Sequence, residues 1–528
     1  MQDAFDIAVV GSGFAGALTA MIARRQGRSV VLLEKGRHPR FAIGESSTPL
    51  ANLILEELCD RYDLPSVRAF TKWGTWQQSH PQIACGLKRG FTFYHHEAGR
   101  EFADDASRQR QLLVAASPHD RIADTHWYRP DFDAFLVEEA RQLGVVYLDE
   151  VDLWGVNREP KRPVLQGRHR GQSLEIHAGM IIDATGPRGF LHRAFDLPEV
   201  RFPHLPPTQS LYTHFTEVPR WDASHPSSGA PPYPVDDAAL HHVFDGGWLW
   251  VLRFNNGVTS AGVAATTKLA NELRFAEGEP AWRRLLDKFP GVRAHLGEAQ
   301  VARPFVHAPK LAFLSGDIAG PNWALLPSAA GFVDPLLSNG FPLTLLGVER
   351  LARILETNWD RAALPDELCQ YSMQTTMELM ATERLVAALY AAMHDFELFT
   401  ALTLLYFAAA SFTESARRLG KPELAGNTFL LGEHAWFGPR VRDCTTAALR
   451  KPTGAARAAL LINIQQTIAP VNVAGLGDPE RRNWYPARAE DLFASASRLQ
   501  SSPSETEAML RSAGFPARSD LKEPGASE

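Results

Sequence analysis

Phe5-Asp6-Ile7-Ala8-Val9-Val10-Gly11-Ser12-Gly13-Phe14-Ala15-Gly16 opens the chain and decides how the rest of it is read. The apolar run Phe5 to Val10 predicts a strand, Ala17 to Arg25 a helix, and Ser29 to Leu33 a second strand that ends at Glu34. Each part has a physical reason. Gly11 permits the tight turn, Gly13 lets the backbone approach a pyrophosphate, and Gly16 lets helix and strand pack closely. Phe14 and Ala15 fill out the turn and begin the helix, whose free N–H groups and dipole favour phosphate. Glu34, about twenty residues on, stands where an acid accepts from ribose hydroxyls, with Lys35 beside it. An ordinary glycine turn does not explain that acid, so the stretch is read as a dinucleotide site.

The whole chain has 528 residues, room for two to four domain-sized pieces and a sizeable core. Its net charge of −6 argues against a nucleic-acid partner, which usually meets a basic surface. Cys59, Cys85, Cys369 and Cys444 lie far apart and form no CxxC, so neither a metal site nor a disulfide framework is expected. Free cysteines suit a reducing cytoplasm, and no signal peptide is expected before the first strand. The most apolar later run, Phe399 to Phe412, is shorter than the roughly 18 residues a membrane span needs, so it is read as a buried helix.

After the second strand comes the loop Arg40-Phe41-Ala42-Ile43-Gly44-Glu45-Ser46-Ser47-Thr48-Pro49, then a helix over about 50–60. With the N-terminal fingerprint, this Phe-x-x-Gly-Glu-Ser loop resembles the flavin-dependent halogenases, relatives of the single-component flavin hydroxylases. Several later elements carry the same resemblance. Lys88-Arg89-Gly90-Phe91-Thr92-Phe93 matches a Lys-x-Gly-x-x-Phe element of the phenol and pyrrole halogenases. Asp245-Gly246-Gly247-Trp248-Leu249-Trp250-Val251-Leu252-Arg253 matches Gly-Trp-x-Trp-x-Ile-Pro, with leucine for isoleucine and Arg253 for proline. That arginine is expected to bring a charge near the wall made by the two tryptophans. Met180 to Pro187 resembles the Asp-Ala-Ser/Thr-Gly element, here Asp183 onward. Leu325 to Pro335 resembles Gly-Asp-Ala-Ala-Gly-Phe-x-Asp-Pro, with Pro327-Ser328 replacing Gly-Asp.

The resemblance covers roughly residues 5 to 490. It implies FAD as cofactor, supplied reduced by a separate flavin reductase, since only one dinucleotide fingerprint is visible. The cofactor-binding positions it implies are Gly11, Gly13, Phe14, Ala15, Gly16, Glu34, Lys35, Gly44, Glu45, Ser46, Arg129, Asp183, Ser328 and Gly331. Arg129 opens the amphipathic segment Trp127 to about Gly144, where a planar guanidinium suits phosphate or flavin contact. Ser338, Asn339 and Gly340, a turn entering a helix near Phe341, are the implied halide site. Leu337 stands where tryptophan halogenases place a glutamate, which favours a phenolic or pyrrolic substrate. Lys88, Trp248 and Trp250 are the implied catalytic positions. The lysine presents hypohalous acid, and the tryptophans wall a tunnel between flavin and substrate.

Read alone, the Phe132, Phe135, Leu136, Ala140 and Leu143 stripe is core, and lysine at a strand end is ordinarily solvated. The expected architecture is α/β: a Rossmann-like FAD-binding domain of the flavin-monooxygenase type with an inserted β-sheet substrate region and a C-terminal helical domain. The expected boundaries are 1–200 and 301–360 for the two parts of the FAD domain, 201–300 for the β-rich region, 361–500 for the helices, and a disordered tail over 501–528. The expected function is FAD-dependent halogenation, with reduced FAD, O2 and halide, of a small electron-rich aromatic, free or carrier-tethered. The place expected for it is cytoplasmic secondary metabolism. A monooxygenase or ene-type reductase on the same scaffold is the first alternative, and a non-catalytic flavin-binding protein the second.

Overall fold

The computed structural model describes residues 4–103, 106–158, 162–227 and 229–515. Two large sheets organise it. The first runs Ala319–Gly320, Trp323–Leu325, Gln172–Asp183, Ala4–Val10, Val30–Leu33, Val146–Leu148. Its four central pairings are parallel: Trp323–Leu325 with Gln172–Asp183, and on through Ala4–Val10 and Val30–Leu33 to Val146–Leu148. Parallel strands are covered on both faces, which is why Ile7 to Val10 and Val30 to Leu33 are buried without alternation. Helix Phe14–Arg25 lies on this sheet with residues 14–23 all buried. Helices Arg129–Gln142 and Gly340–Asn358 pack against it in turn.

The second sheet has nine strands, eight of them in the order Gln300–Val301, Thr208–Thr216, Thr259–Thr266, Gly247–Arg253, Ala239–Phe244, Gly90–His96, Gln111–Ala115, Trp484–Tyr485. This corrects the expected boundaries. Gly90–His96 and Gln111–Ala115 fall inside 1–200, and Trp484–Tyr485 falls inside 361–500, yet all three belong to the second sheet. Strand pairing is non-local, and spacing along the chain does not encode it.

Helices Leu364–Ala392 and Phe396–Arg418 lie against both units. Arg350 donates to both carboxylate oxygens of Glu378 at 2.7 and 2.6 Å, tying Gly340–Asn358 to Leu364–Ala392. Phe396–Arg418 has 23 residues and is long and apolar enough to cross a membrane, unlike the shorter run expected from sequence. Most of its apolar stretch is buried inside the protein, as a core helix requires. The expected tail is also corrected. Pro503–Ala513 is a helix with a capping box between Ser502 and Glu505, and Met509 and Leu510 pack against Ala489. Met509, Leu510 and Ala513 are the buried apolar residues that anchor this otherwise polar segment. Residues 516–528 lie outside the described part.

Candidate active site

One cavity of about 890 Å³ runs from the Gly11 turn to the second sheet. At its first end the glycines do what their positions require. Gly11 has φ +97°, and a Cβ there would lie 2.8 Å from the Ala184 carbonyl carbon. A Cβ on Gly16 would sit 1.9 Å from the Gly11 carbonyl oxygen, so no side chain fits. Gly13 opens instead toward charge: its Cβ would meet Arg129 Nη2 at 3.2 Å. Helix Phe14–Arg25 carries no side-chain cap and no acid in its first turn, so its terminal N–H groups are left for a ligand.

Glu34 closes this end. Its carboxylate accepts from Ser12 N at 3.1 Å, Ser12 Oγ at 2.7 Å, Gly36 N at 2.9 Å and Arg40 Nη2 at 3.0 Å. Burial alone would raise its pKa, but the Arg40 guanidinium and these bonds outweigh burial and hold it down at about 2. Arg129 is 6% exposed and grips Asp133 with two bonds of 2.7 Å. Its Nη1 donates to Gly44 O at 2.9 Å and Ile43 O at 3.2 Å, which pins the Gly44 loop to helix Arg129–Gln142. In that loop Glu45 Oε1 lies 2.9 Å from His214 Nε2, while Glu45 Oε2 is buried without a partner among the described residues. An open helix start, an ionised acid and a paired guanidinium around a glycine-walled cavity form a cradle that fits FAD.

The far end is built on the second sheet. Strand Gly247–Arg253 alternates, so Trp248, Trp250 and Leu252 face the cavity while Leu249 and Val251 face the other core. Arg253 follows the same alternation and corrects the expectation that it stands near the tryptophan wall. It bonds Asp236 at 3.1 Å and the Val218 carbonyl at 2.8 Å on the opposite face. Across the next strand, Gly262 makes room for the indole: a Cβ there would lie 2.3 Å from Trp250 Cζ2 and 2.4 Å from Tyr212 Cβ.

Between the two ends, Leu337 and Ser338 adopt φ of +66° and +53°, an unusual pair for non-glycine residues, before helix Gly340–Asn358 begins. That helix too has no side-chain cap and no acid in its first turn. Asn339 Nδ2 donates to Leu336 O at 2.7 Å and Asp334 O at 3.2 Å, which holds the turn. Ser338, Asn339 and Gly340 all line the cavity, as do Ser328 and Gly331.

Lys88 is wholly buried and does not line the cavity. Its Nζ donates to Ser47 O at 2.5 Å, to Ser46 Oγ at 3.0 Å and, at 3.5 Å, to Ser338 Oγ. Ser46 and Ser338 do line the cavity, so the ammonium stands one hydroxyl behind its wall. Nζ also lies 3.9 Å over the Phe91 ring. Opposite Lys88 in strand register is Asp124, also buried, with Asn52 Nδ2 at 2.7 Å and its second oxygen unpartnered among the described residues. Burial pushes the lysine down and the aspartate up, toward one another.

Of the positions read from sequence, Gly11, Gly13, Phe14, Ala15, Glu34, Lys35, Gly44, Glu45, Ser46, Arg129, Trp248 and Trp250 line this one cavity with the five just named. Gly16 acts behind it, and so does Asp183. The Asp183 carboxylate accepts from Thr185 N, Thr185 Oγ1 and Leu191 N at 2.8, 2.6 and 2.6 Å, shaping the turn that lines the cavity. The sequence reading missed Asp334 as a hub. Its carboxylate takes Trp248 Nε1 at 3.1 Å, Leu336 N at 3.0 Å and Tyr390 Oη at 2.9 Å, so it joins the tryptophan wall, the Ser338 turn and the C-terminal helices. The Asp-Pro of the motif was the available signal; its partners are 86 and 56 residues away.

Burial pushes the Asp334 carboxyl up to about 6 against those three bonds. A carboxyl raised on folding is protonated in the native state where the unfolded chain has already ionised. Its share of stability therefore falls as pH rises from the ordinary 3.8 to about 6. Asp334→Asn is expected to remove that slope, measured as the difference in urea midpoint between pH 4 and pH 7. Equal differences in the two proteins would refute it.

Comparison with known proteins agrees with the cradle. Residues 6–315 match the family of FAD dependent oxidoreductases. The match takes in more than half the chain, and the chain belongs to that family, with FAD as its cofactor. Monodechloroaminopyrrolnitrin halogenase PrnC of Pseudomonas fluorescens is 29% identical over 404 residues, 75% of this chain and 70% of that protein. Tetracycline 7-halogenase of Kitasatospora aureofaciens is 28% identical, over 64% of this chain and 61% of that protein. The crystal structure of a halogenase PltM mutant in complex with FAD superposes with a TM-score of 0.79 at 24% identity. It covers 90% of this chain and 99% of that one. The resemblance to flavin-dependent halogenases read from the sequence is borne out, and the enzyme is an oxidoreductase of that kind.

Proposed function

We propose that this enzyme uses FAD, dioxygen and halide to halogenate a small electron-rich aromatic, phenolic or pyrrolic, with Lys88 presenting hypohalous acid. The observation that carries it is the Lys88 ammonium, buried and hydrogen-bonded to two serines of the cavity that also holds the Gly13 cradle and the tryptophans. When bound, FAD supplies with dioxygen the oxidising equivalents that turn halide into hypohalous acid. The protein's share is placement. The start of helix Phe14–Arg25 and Arg129 receive the pyrophosphate, and Glu34 takes ribose hydroxyls. The N–H groups at Gly340, with Ser338 and Asn339, hold halide. Trp248, Trp250 and Tyr212 exclude water and keep the substrate apart from the cofactor. The Ser46 and Ser338 hydroxyls, each accepting from Lys88 Nζ, donate in turn to hypohalous acid and so carry the lysine's polarisation to its oxygen as the halogen leaves.

Two relatives support an aromatic substrate: one is named a 1H-pyrrole-2-carbonyl-[peptidyl-carrier protein] chlorinase, and halogenase PltM is known in complex with phloroglucinol. The first name also keeps a carrier-bound substrate in view. Reduced FAD comes from a separate flavin reductase.

The test supplies chemically reduced FAD, air and a panel of phenols, pyrroles and indoles, with bromide or without halide, and weighs the products by mass spectrometry. Brominated product that appears only with bromide is expected. Oxygenated product without halide would assign the enzyme to monooxygenation. Bound flavin with no product from any arene would indicate a protein that has lost turnover.

A further inference from the structure

Of the buried histidines outside the proposed machinery, His241 lines the cavity. His241 sits in strand Ala239–Phe244, 2% exposed. One row across the sheet sets it between Phe93 and Trp250. Its ring stacks on Phe93 with centroids 4.4 Å apart and leans on Trp248 at 5.3 Å. Its Nδ1 lies 3.2 Å from the Thr92 carbonyl oxygen, within hydrogen-bond reach. A carbonyl can only accept, so Nδ1 carries the proton. Burial drives the imidazolium down to about 3, the Lys88 charge assists, and the backbone carbonyls of Thr92 and Ala239 only partly oppose it. The ring is therefore neutral, and Nε2 holds a lone pair.

That lone pair differs from those of the other buried histidines. Nδ1 of His96 and of His126 are sealed, without a partner among the described residues. His95 and His214 are engaged by Met393 O and Glu45. His242 faces away, bridging His96 at 2.8 Å and His295 at 3.0 Å. His241 alone among these combines a fixed tautomer, a place in the cavity lining beside both tryptophans, and an Nε2 that takes no hydrogen bond among the described residues.

We propose that His241 Nε2 accepts the hydrogen bond of a ring-borne O–H or N–H of the substrate, and so selects donor-bearing aromatics and fixes their orientation between the tryptophans and Lys88. This rests on the aromatic-halogenation reading for its substrate. Accepting that bond also pushes electron density into the ring, which raises the reactivity of the carbons ortho and para to the donor. His241 is a specificity residue here; no covalent step passes through it.

The test compares two near-isosteres, 4-chlorophenol and 4-chlorotoluene, by quenching of tryptophan fluorescence in the FAD-bound enzyme. Wild type is expected to bind the phenol at least about ten-fold tighter, because a site built for a hydroxyl leaves its acceptor unpaired against the methyl. His241→Phe keeps the stack on Phe93 and removes the acceptor, and is expected to bring the ratio close to one. Equal affinities in wild type, or a preference retained in His241→Phe, would overturn the proposal. A second readout needs no variant: with 15N-labelled histidine, the one unprotonated ring nitrogen of His241 is expected to shift on adding 4-chlorophenol and not 4-chlorotoluene. No shift would overturn it equally. Both are binding measurements, so they stand or fall apart from bromination, which the halide experiment judges on its own.

Discussion

Lys88→Ala is expected to lower the formation of halogenated product by about a hundred- to ten-thousand-fold, the range for losing a positioned proton donor. FAD affinity should stay within a few-fold of wild type, because Lys88 reaches the cavity only through Ser46 and Ser338. Nζ satisfies the Ser47 carbonyl as well, and truncation leaves that acceptor and the Asp124 carboxyl without their cation. Asp124 can take up a proton, since burial already raises its carboxyl, so the fold is expected to survive with reduced stability. Lys88→Met, which keeps the volume and removes the charge, separates the two effects. Full activity in Lys88→Met would eliminate the proposed role. Lost FAD binding in either variant would make the lysine a scaffold residue instead.

The second large effect concerns the cradle. Gly13→Val is expected to weaken FAD binding by at least about 100-fold, roughly 2.7 kcal/mol. The added methyls would occupy the space in front of Arg129, where even a Cβ stands 3.2 Å from Nη2. The fold should persist, because the near atom is the end of a side chain and the new volume faces the cavity. Gly16→Ala is the contrast. Its Cβ would lie 1.9 Å from a backbone oxygen, so the turn itself has to move, and soluble folded protein is expected to fall. Flavin titration with thermal melts of the flavin-free protein distinguishes them. A Gly13→Val protein that retains wild-type affinity would show that the cavity beside Arg129 is not where the cofactor lies.

How the tryptophan wall is assembled shows where local reading ends. Trp248 and Trp250 at alternate positions announce one face of a strand, and the same alternation sends Arg253 to the other face. The expectation of a charge near the wall overlooked that period. The space Trp250 occupies, however, is supplied by Gly262 on a neighbouring strand, and its companion Tyr212 comes from a third. The Lys88 neighbourhood follows the same rule. Lys88 stands out in its motif, but Asp124, Asn52 and Ser338 reach it from 36 residues, 36 residues and 250 residues away.

By itself the sequence determined the dinucleotide end of this protein. There strand, glycine turn, helix and acid are contiguous, and the constraints are steric and local: a positive φ at Gly11, no room at Gly16, an open helix start after Gly13. It also determined which residue types the chemistry would use, since Lys88, Trp248 and the Ser338 turn lie in short recognisable strings. Only the tertiary structure decided the rest. Strand register placed His241 between Phe93 and Trp250, and the carbonyl of Thr92 chose its tautomer. Chain crossing brought Asp334 under Trp248 and Tyr390, and folding buried Lys88 behind two serines from different loops. The physical reason is the range of the forces. Backbone sterics and helix ends act within a few residues, whereas burial, register and hydrogen-bond partnership depend on segments that meet only when both sheets have closed around the cavity.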